Sequence, residues 1–534
     1  MMMISKDSRH KGLVKVDNVE KIGMSLSGAN VVKTEDFVKQ REQHILSTWI
    51  SISCLKSLLV TINGILPLLI PSKSLILLLT NIILLQSFYI LDNVFHGLSA
   101  VFSKDELQAL KRSPGFVSAY KDVPVELHTT HTPEFLKLNP SFGLWPASNF
   151  GQDVIIGIVD TGIWPESLSF RDDGMPEIPK RWKGICRTGT DFNSSLCNRK
   201  LIGVNYFNKG ALAADPRANI AMNSARDTFG HGTHVASLAA GNYVHGVSYF
   251  GYATGTAKGV APRARLAIYK ISWPEFSTST ADVIAGMDQA VADGVDIISI
   301  SSGFRHIPLY EDTIAIATFG AMMKGILVSA SAGHSGPDFG TLGNGDAWIM
   351  TIAPGTTDRT FAGTLTLANG QKMRGWSLFP LSALVKDSTL IYNKTLSSCN
   401  SIELLSQVHS PNIPNYEVII CDGSDGLLSQ MRTVMEVRFR VGIFISSDPR
   451  ALTSKNFPTP GIVIGPKEGK QVINYVPKTE HPSVSISFQE TYVDVKPAPK
   501  LAVSSSREPS RSYLGITKPD LMTPGVLILG AETA

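Results

Sequence analysis

The chain has 534 residues, 43% of them apolar and 18% charged, with 49 Lys and Arg against 45 Asp and Glu. That length exceeds a usual single domain and supplies ample apolar material for a core. A formal net charge of +4, with basic residues scattered along the chain, argues against nucleic acid as a partner.

The opening stretch, Met1 to Lys21, is polar and charged and has no apolar h-region, so no ordinary signal peptide is visible. An apolar zone follows from Leu58 to Leu91. Its uncharged part, Ser74–Leu91, is about long enough to cross a bilayer. Pro67, Pro71 and Lys73 break the earlier part, and Asn81 and Gln86 add polar cost inside the span. Two expectations stand side by side for it: a membrane segment or internal signal, and a mis-assembled stretch of the gene.

From Phe88 the pattern becomes regular. "FYILDNVFHGLSAVF" has the β-branched and aromatic content of strands. "SKDELQALKRS" predicts a helix with Ser103 as its cap and Glu106 completing a capping box, and "GFVSAYKDVPVEL" predicts a further strand. Strand, helix, strand in so short a space reads as half of a small α+β module.

Beyond "HTTHTPEFL" the apolar runs become continuous. "DVIIGIVDTG", "RLAIYKI", "GVDIISISSG" and "KGILVSASAG" read as buried strands, and "TADVIAGMDQAVADG" as a helix capped by Thr280 and stopped by Gly294. Such strands alternating with helices predict an α/β fold, a parallel sheet covered on both faces. Function in these sheets gathers beyond the carboxyl ends of the strands. Asp160, the Ser301–Gly303 turn and the Gly333–His334 turn are therefore expected on one rim. From about 361 to 498 the texture changes to short alternating strands with little helix after "SIELLSQ", which predicts an inserted β-rich domain. "KLAVSSSREPSRSYLGITKPDLMTPGVLILG" then returns to the first texture, so the core is split.

Five cysteines comprise two near pairs, Cys186 with Cys197 and Cys399 with Cys421, and a lone Cys54. Two short-range pairs suit an exported, oxidised protein, although spacing alone proves no bridge. Asn193-Ser-Ser and Asn393-Lys-Thr are glycosylation sequons, one near each pair.

The most informative stretch is "RDTFGHGTHVAS", with two histidines three residues apart. Zinc proteases space their histidines four apart with a Glu between, and no Glu is present, so a metal site is not expected. Nucleophilic catalysis needs an imidazole to take a proton from a hydroxyl and a carboxylate to orient that imidazole. Asp160, ending a buried strand, is placed to orient. His231 lies between Gly230 and Gly232, which would let a substrate backbone approach closely. His234 is expected to pack or to hydrogen-bond within its helix.

"DVIIGIVDTGIWPES", "DTFGHGTHVAS", "SASAGHSGP" and "SSSREPSRSYLGITKPDLMTPGV", in this order, resemble the subtilases, serine endopeptidases of the subtilisin type. The plant branch is the nearer likeness, through "SSLCNRKLIG", "NSARDT" and "GTLTLANGQ". The resemblance implies a subtilisin-like α/β core, preceded by a small α+β inhibitory propeptide and interrupted by a β-rich protease-associated domain. It divides the chain into an atypical N-terminus (1–87), a partial propeptide (88–128), the first part of the core (129–360), the insert (361–498) and the remainder of the core (499–534). It makes Asp160 the orienting carboxylate and His231 the base. It puts propeptide cleavage at His128–Thr129 and substrate pairing along Ser301, Ser302 and Gly303. It also implies no cofactor and no metal, protein or peptide substrates, the chain's own propeptide as a partner, and secretion to the apoplast and cell wall. A membrane location through Ser74–Leu91 is the alternative.

Two departures stand out. The family places Asn in the turn where this chain has His334, and that Asn amide donates to the developing oxyanion. The family's serine lies in a Gly-Thr-Ser-Met segment past "KPD…PG", yet Gly-Thr-Ser occurs nowhere among the 534 residues. Glu508 and Thr523 replace a usual Gly and Ala. The expectation is a gene product truncated before its nucleophile and inactive as written. The rival reading is a non-catalytic pseudoprotease that binds peptides or inhibits relatives.

Overall fold

The computed structural model describes residues 131–533, apart from 216–219, 276–277, 304–311, 381–384, 408–416, 424–425, 438, 440, 448–456, 458 and 511–513. Before residue 131 it describes four strands and one helix. The chain forms two compact units, residues 1–126 and 127–534.

In the first unit, β1 (Ser47–Ile52), β2 (Ser87–Leu91), β3 (Gly97–Val101) and β4 (Phe116–Lys121) form an antiparallel sheet in the order β2-β3-β1-β4. Helix α1 (Lys104–Lys111) connects β3 to β4. The predicted strand–helix–strand is therefore present, completed by β1 from further upstream. The last five residues of the apolar span are β2, extended backbone paired to β3, which is not the conformation of a membrane helix. Residues 74–86 and Ser103 lie outside the described residues. Among the described residues no helix is long and apolar enough to cross a membrane.

The second unit is built on β5 (Ile155–Asp160), β6 (Leu201–Tyr206), helix α2 (His231–Ala240), the hairpin β7 (Val244–Tyr249) and β8 (Tyr252–Ala257), and β9 (Arg265–Lys270). Helix α3 (Thr280–Asp293), β10 (Ile297–Ile300), helix α4 (Thr313–Met323), β11 (Leu327–Ser331) and β12 (Met350–Gly355) follow. The cap of α3 is at Ser279, with Thr280 already helical, and Gly294 stops the helix at φ 89°. That positive φ is the left-handed conformation a glycine adopts without strain.

After β12 the chain leaves for the insert: β13 (Thr360–Leu367), β14 (Lys372–Trp376), β15 (Val385–Ile391), β16 (Glu417–Cys421), helix α5 (Leu427–Glu436), β17 (Val441–Ile445), β18 (Gly461–Ile464), helix α6 (Pro466–Tyr475) and β19 (Ser483–Tyr492). Its strands close into a barrel, β13-β14-β18-β17-β16-β15-β19. The insert carries more helix than expected, because α5 and α6 bury apolar residues at helical spacing, Met431 and Val434 in one and Val472 and Tyr475 in the other. Strand β20 (Leu521–Pro524) then completes the seven-stranded sheet β20-β12-β11-β10-β5-β9-β6.

All seven strands run parallel. Alternation along β5 sends Ile155 and Val159 to one face, with Met287, Ala290 and Ile314 of α3 and α4. Ile156 and Ile158 go to the other, with Ala236 and Ala240 of α2. From β5 the chain goes to the edge strand β6, returns to β9 between them, then crosses to β10 on the other side of β5 and builds outward through β11 and β12 to β20. The order thus reverses between β5 and β10, where α/β sheets open a crevice beyond their carboxyl ends. Two disulfides are formed, Cys186–Cys197 and Cys399–Cys421.

Candidate active site

Asp160 is the last residue of β5 and only 6% exposed. Its Oδ1 accepts from Thr161 N at 2.7 Å and lies 2.7 Å from His231 Nδ1. A carboxylate partner requires the proton on Nδ1, which leaves Nε2 as the basic nitrogen of the neutral ring. His231 opens α2, and its side chain is 46% exposed, so the imidazole spans a buried acid and an accessible rim.

Helix α2 begins there because Asp227 caps it. Asp227 is completely buried; its Oδ1 accepts from Phe229 N at 3.0 Å and Gly230 N at 2.9 Å, and its Oδ2 from Thr233 N and Thr233 Oγ1 at 2.9 and 2.7 Å. One carboxylate thus satisfies three amides and a hydroxyl at the helix start and adds a favourable charge at the dipole's positive end. Further ties join this segment to the turn after β5. Gly232 N donates to Thr161 Oγ1, Trp164 N to Thr233 Oγ1, Ile163 N to Ala225 O and Asp227 N to Ile163 O. Arg226 forms a forked pair with Glu166 at 2.6 and 2.9 Å, and that hydrogen bond holds the Glu166 carboxyl below its ordinary range.

The glycines around His231 also have a role in the packing of the fold. A Cβ on Gly232 would stand 2.4 Å from Gly162 O, so this glycine lets the helix meet the Asp160 turn. Gly230 takes φ 94°. The two histidines of "HGTH" have separate partners: His234 Nε2 donates to Ile528 O at 3.1 Å, outside its own helix. Among the described residues no group of three or more His, Cys, Asp or Glu is placed to hold a metal ion.

The turns after β10 and β11 lie at the same carboxyl edge of the sheet as Asp160, because the three strands run parallel. Ser301, Ser302 and Gly303 follow β10, the strand beside β5. Asn344, unremarked in the sequence, donates to Ser302 O at 3.2 Å and to Ser331 O at 2.8 Å, joining the ends of β10 and β11. His334 is exposed in the turn after β11, whose neighbours Ser335 and Gly336 donate to Ser506 Oγ and Ser504 O. Glu508 is exposed, and its Oε2 accepts from Lys518 N at 3.2 Å. Asn193 and Asn393 are exposed, and each Oδ1 accepts from the amide two residues on, Ser195 N and Thr395 N. His128 and Thr129 lie outside the described residues.

A buried aspartate in contact with a half-exposed histidine therefore stands at the switch point of a parallel sheet. The sequence profile of the Subtilase family matches residues 151–533. The chain belongs to the subtilase family. A peptidase inhibitor I9 profile matches residues 72–128 of this subtilase, beginning inside the apolar run and ahead of the boundary at 88 expected for the propeptide. Over 443 residues it is 67% identical to the subtilisin-like protease SBT3 of Solanum lycopersicum, covering 83% of this chain and 58% of the relative. It is 41% identical over 469 residues to the subtilisin-like protease SBT1.9 of Arabidopsis thaliana, covering 83% of this chain and 60% of that relative. The subtilase thus spans 58% and 60% of the lengths of these two relatives.

Proposed function

We propose that the chain carries the acid–base half of a serine endopeptidase acting on proteins or peptides. The observation that carries this reading is the 2.7 Å contact between Asp160 Oδ1 and His231 Nδ1 at the reversal of a parallel sheet. With Nδ1 tied to the carboxylate, His231 Nε2 takes the proton of an attacking hydroxyl and later returns it to the leaving amine. Asp160 holds the ring in the working tautomer and stabilises the imidazolium between those steps. The rim Ser301–Gly303 offers extended backbone against which a substrate strand pairs.

The hydroxyl itself is expected on a Gly-Thr-Ser-Met segment, and the 534 residues contain no Gly-Thr-Ser. The longer relatives support reading this sequence as part of a longer enzyme. Sequencing the 3′ end of the transcript tests this: an in-frame Gly-Thr-Ser-Met segment, with fluorophosphonate labelling of its serine, is the expected result. A natural product of these 534 residues that binds peptides and resists labelling would instead establish the pseudoprotease, a reading that His334 at the oxyanion position favours.

The antiparallel sheet and the inhibitor match support a propeptide released by cleavage at His128–Thr129. The barrel is read as a protease-associated domain. Two disulfides and two exposed sequons support passage through an oxidising secretory route to the extracellular space.

A further inference from the structure

Lys270, the last residue of β9, is completely buried, and its register partner on β5 is Asp160. Its Nζ donates to Arg226 O at 2.6 Å, immediately before the capping Asp227. Its Cδ lies 3.1 Å from where a Cβ on Gly162 would stand, directly against the turn that carries Asp160. The ammonium sits 4.8 Å from the Trp273 ring and is attracted by the carboxylates of Asp227 and Glu275. One side chain therefore touches both halves of the site, the turn that presents the acid and the loop that starts the helix of the base.

We propose that Lys270 is a positioning residue for the Asp160–His231 pair, its methylene stem supporting the Asp160–Gly162 turn and its ammonium holding the Arg226–Asp227 backbone. The physical reason is the mismatch between what the two halves need. Asp160 is fixed by the sheet, whereas His231 is fixed by a loop and a helix start, so their distance depends on whatever ties loop to sheet. A charge-assisted bond to a backbone carbonyl in a water-excluded place is a strong tie. Without it, Arg226 O loses the Lys270 ammonium as a donor and the buried Asp227 loses an attracting cation, which loosens the cap from which His231 projects.

Burial alone does not make this role. Lys200 is equally buried, with Nζ donating to Pro262 O at 2.6 Å and Ala264 O at 2.8 Å, but it precedes β6 at the amino end of the sheet, away from the rim. It serves as the internal control.

The proposal rests on Asp160–His231 being the acid–base pair, and its test is independent of turnover. The full chain, labelled with ¹⁵N-histidine, is compared by NMR as wild type, Lys270→Met and Lys200→Met, with His231→Gln to assign the ring. The wild type is expected to show a far-downfield, slowly exchanging Nδ1 proton for His231. Lys270→Met is expected to lose or shift that resonance, and Lys200→Met to keep it, whatever each costs in thermal stability. An unchanged resonance and exchange rate in folded Lys270→Met overturns the proposal. Should that variant fail to fold, Lys270→Arg decides: it keeps the charge but cannot place it on Arg226 O with the same stem, so an unmoved resonance overturns the proposal equally. A wild type with no such resonance would overturn the acid–base reading itself, a result distinct from either.

Discussion

Gly232 shows how narrowly single atoms define this site. On an exposed helix, replacing Gly with Ala stabilises by about 1 kcal/mol. Here the new methyl would stand 2.4 Å from Gly162 O, which is backbone and cannot swing away. Gly232→Ala is therefore expected to destabilise by about 1–3 kcal/mol, read as a lower urea midpoint. Asp160→Asn tests the chemistry: in a form bearing the serine segment, turnover should fall by about 10⁴-fold as the ring loses its required tautomer. His334→Asn should move the other way, raising kcat towards the hundredfold or so that an oxyanion donor typically supplies, with little change in KM. Both effects are read by steady-state kinetics on a peptide substrate. That Asp160 and His231 belong together was legible from the motifs that resemble the subtilases, and the fold brings the two side chains into contact. Asp227, Lys270 and Asn344 were not, because their roles lie in backbone groups that only the fold brings to them.

Among the elements, α2 depends most on one side chain. Asp227→Ala leaves four donors around a buried helix start without their acceptor. A loss of about 3 kcal/mol or more is expected, visible as a depressed melt and as faster hydrogen exchange confined to the first turn of α2. The strands β5, β9, β10 and β11 could be read from sequence because each is a continuous apolar run of the kind a sheet buried on both faces requires. Strand β6 was not read, since "LIGVNY" is short and directly follows the charged Arg199-Lys200, whose Lys200 turns out to be wholly buried against carbonyls. The helices α5 and α6 were missed because each is a ten-residue segment with one narrow apolar stripe, set among barrel strands of similar composition. The parallel sheet was legible in the alternation of apolar strands with helices, but the residue-by-residue register and the strand order came from no local pattern.

For the molecule as a whole, buried lysines impose a pH signature. Burial pushes Lys200 down to about 7 from its ordinary 10.5, and Lys270 to about 8. Between those values and 10.5 the unfolded chain holds protons that the folded one has released, so stability rises with pH across this window. The burial penalty is present in full below the folded values and gone above 10.5. Urea unfolding of wild type against Lys200→Met should show the wild type gaining on the variant from neutral to strongly alkaline pH. The insert is also separable in principle: it leaves and returns at one neck, where Thr360 pairs with Tyr492 and Gly355 bridges to Leu501. Residues 358–495 expressed alone should give a cooperative melt by circular dichroism, weakened where Phe361 loses Tyr252.

That neck also dictates a timetable for biosynthesis. Strand β12 pairs with β20, but roughly 165 residues separate them, and at about 5–20 residues per second the ribosome needs on the order of 10–30 s to deliver the second after the first. Throughout that interval the half-made sheet presents a naked flank, open to the wrong neighbour. Prompt closure of the barrel, which draws the two ends of the detour together, shortens the search that ends the exposure.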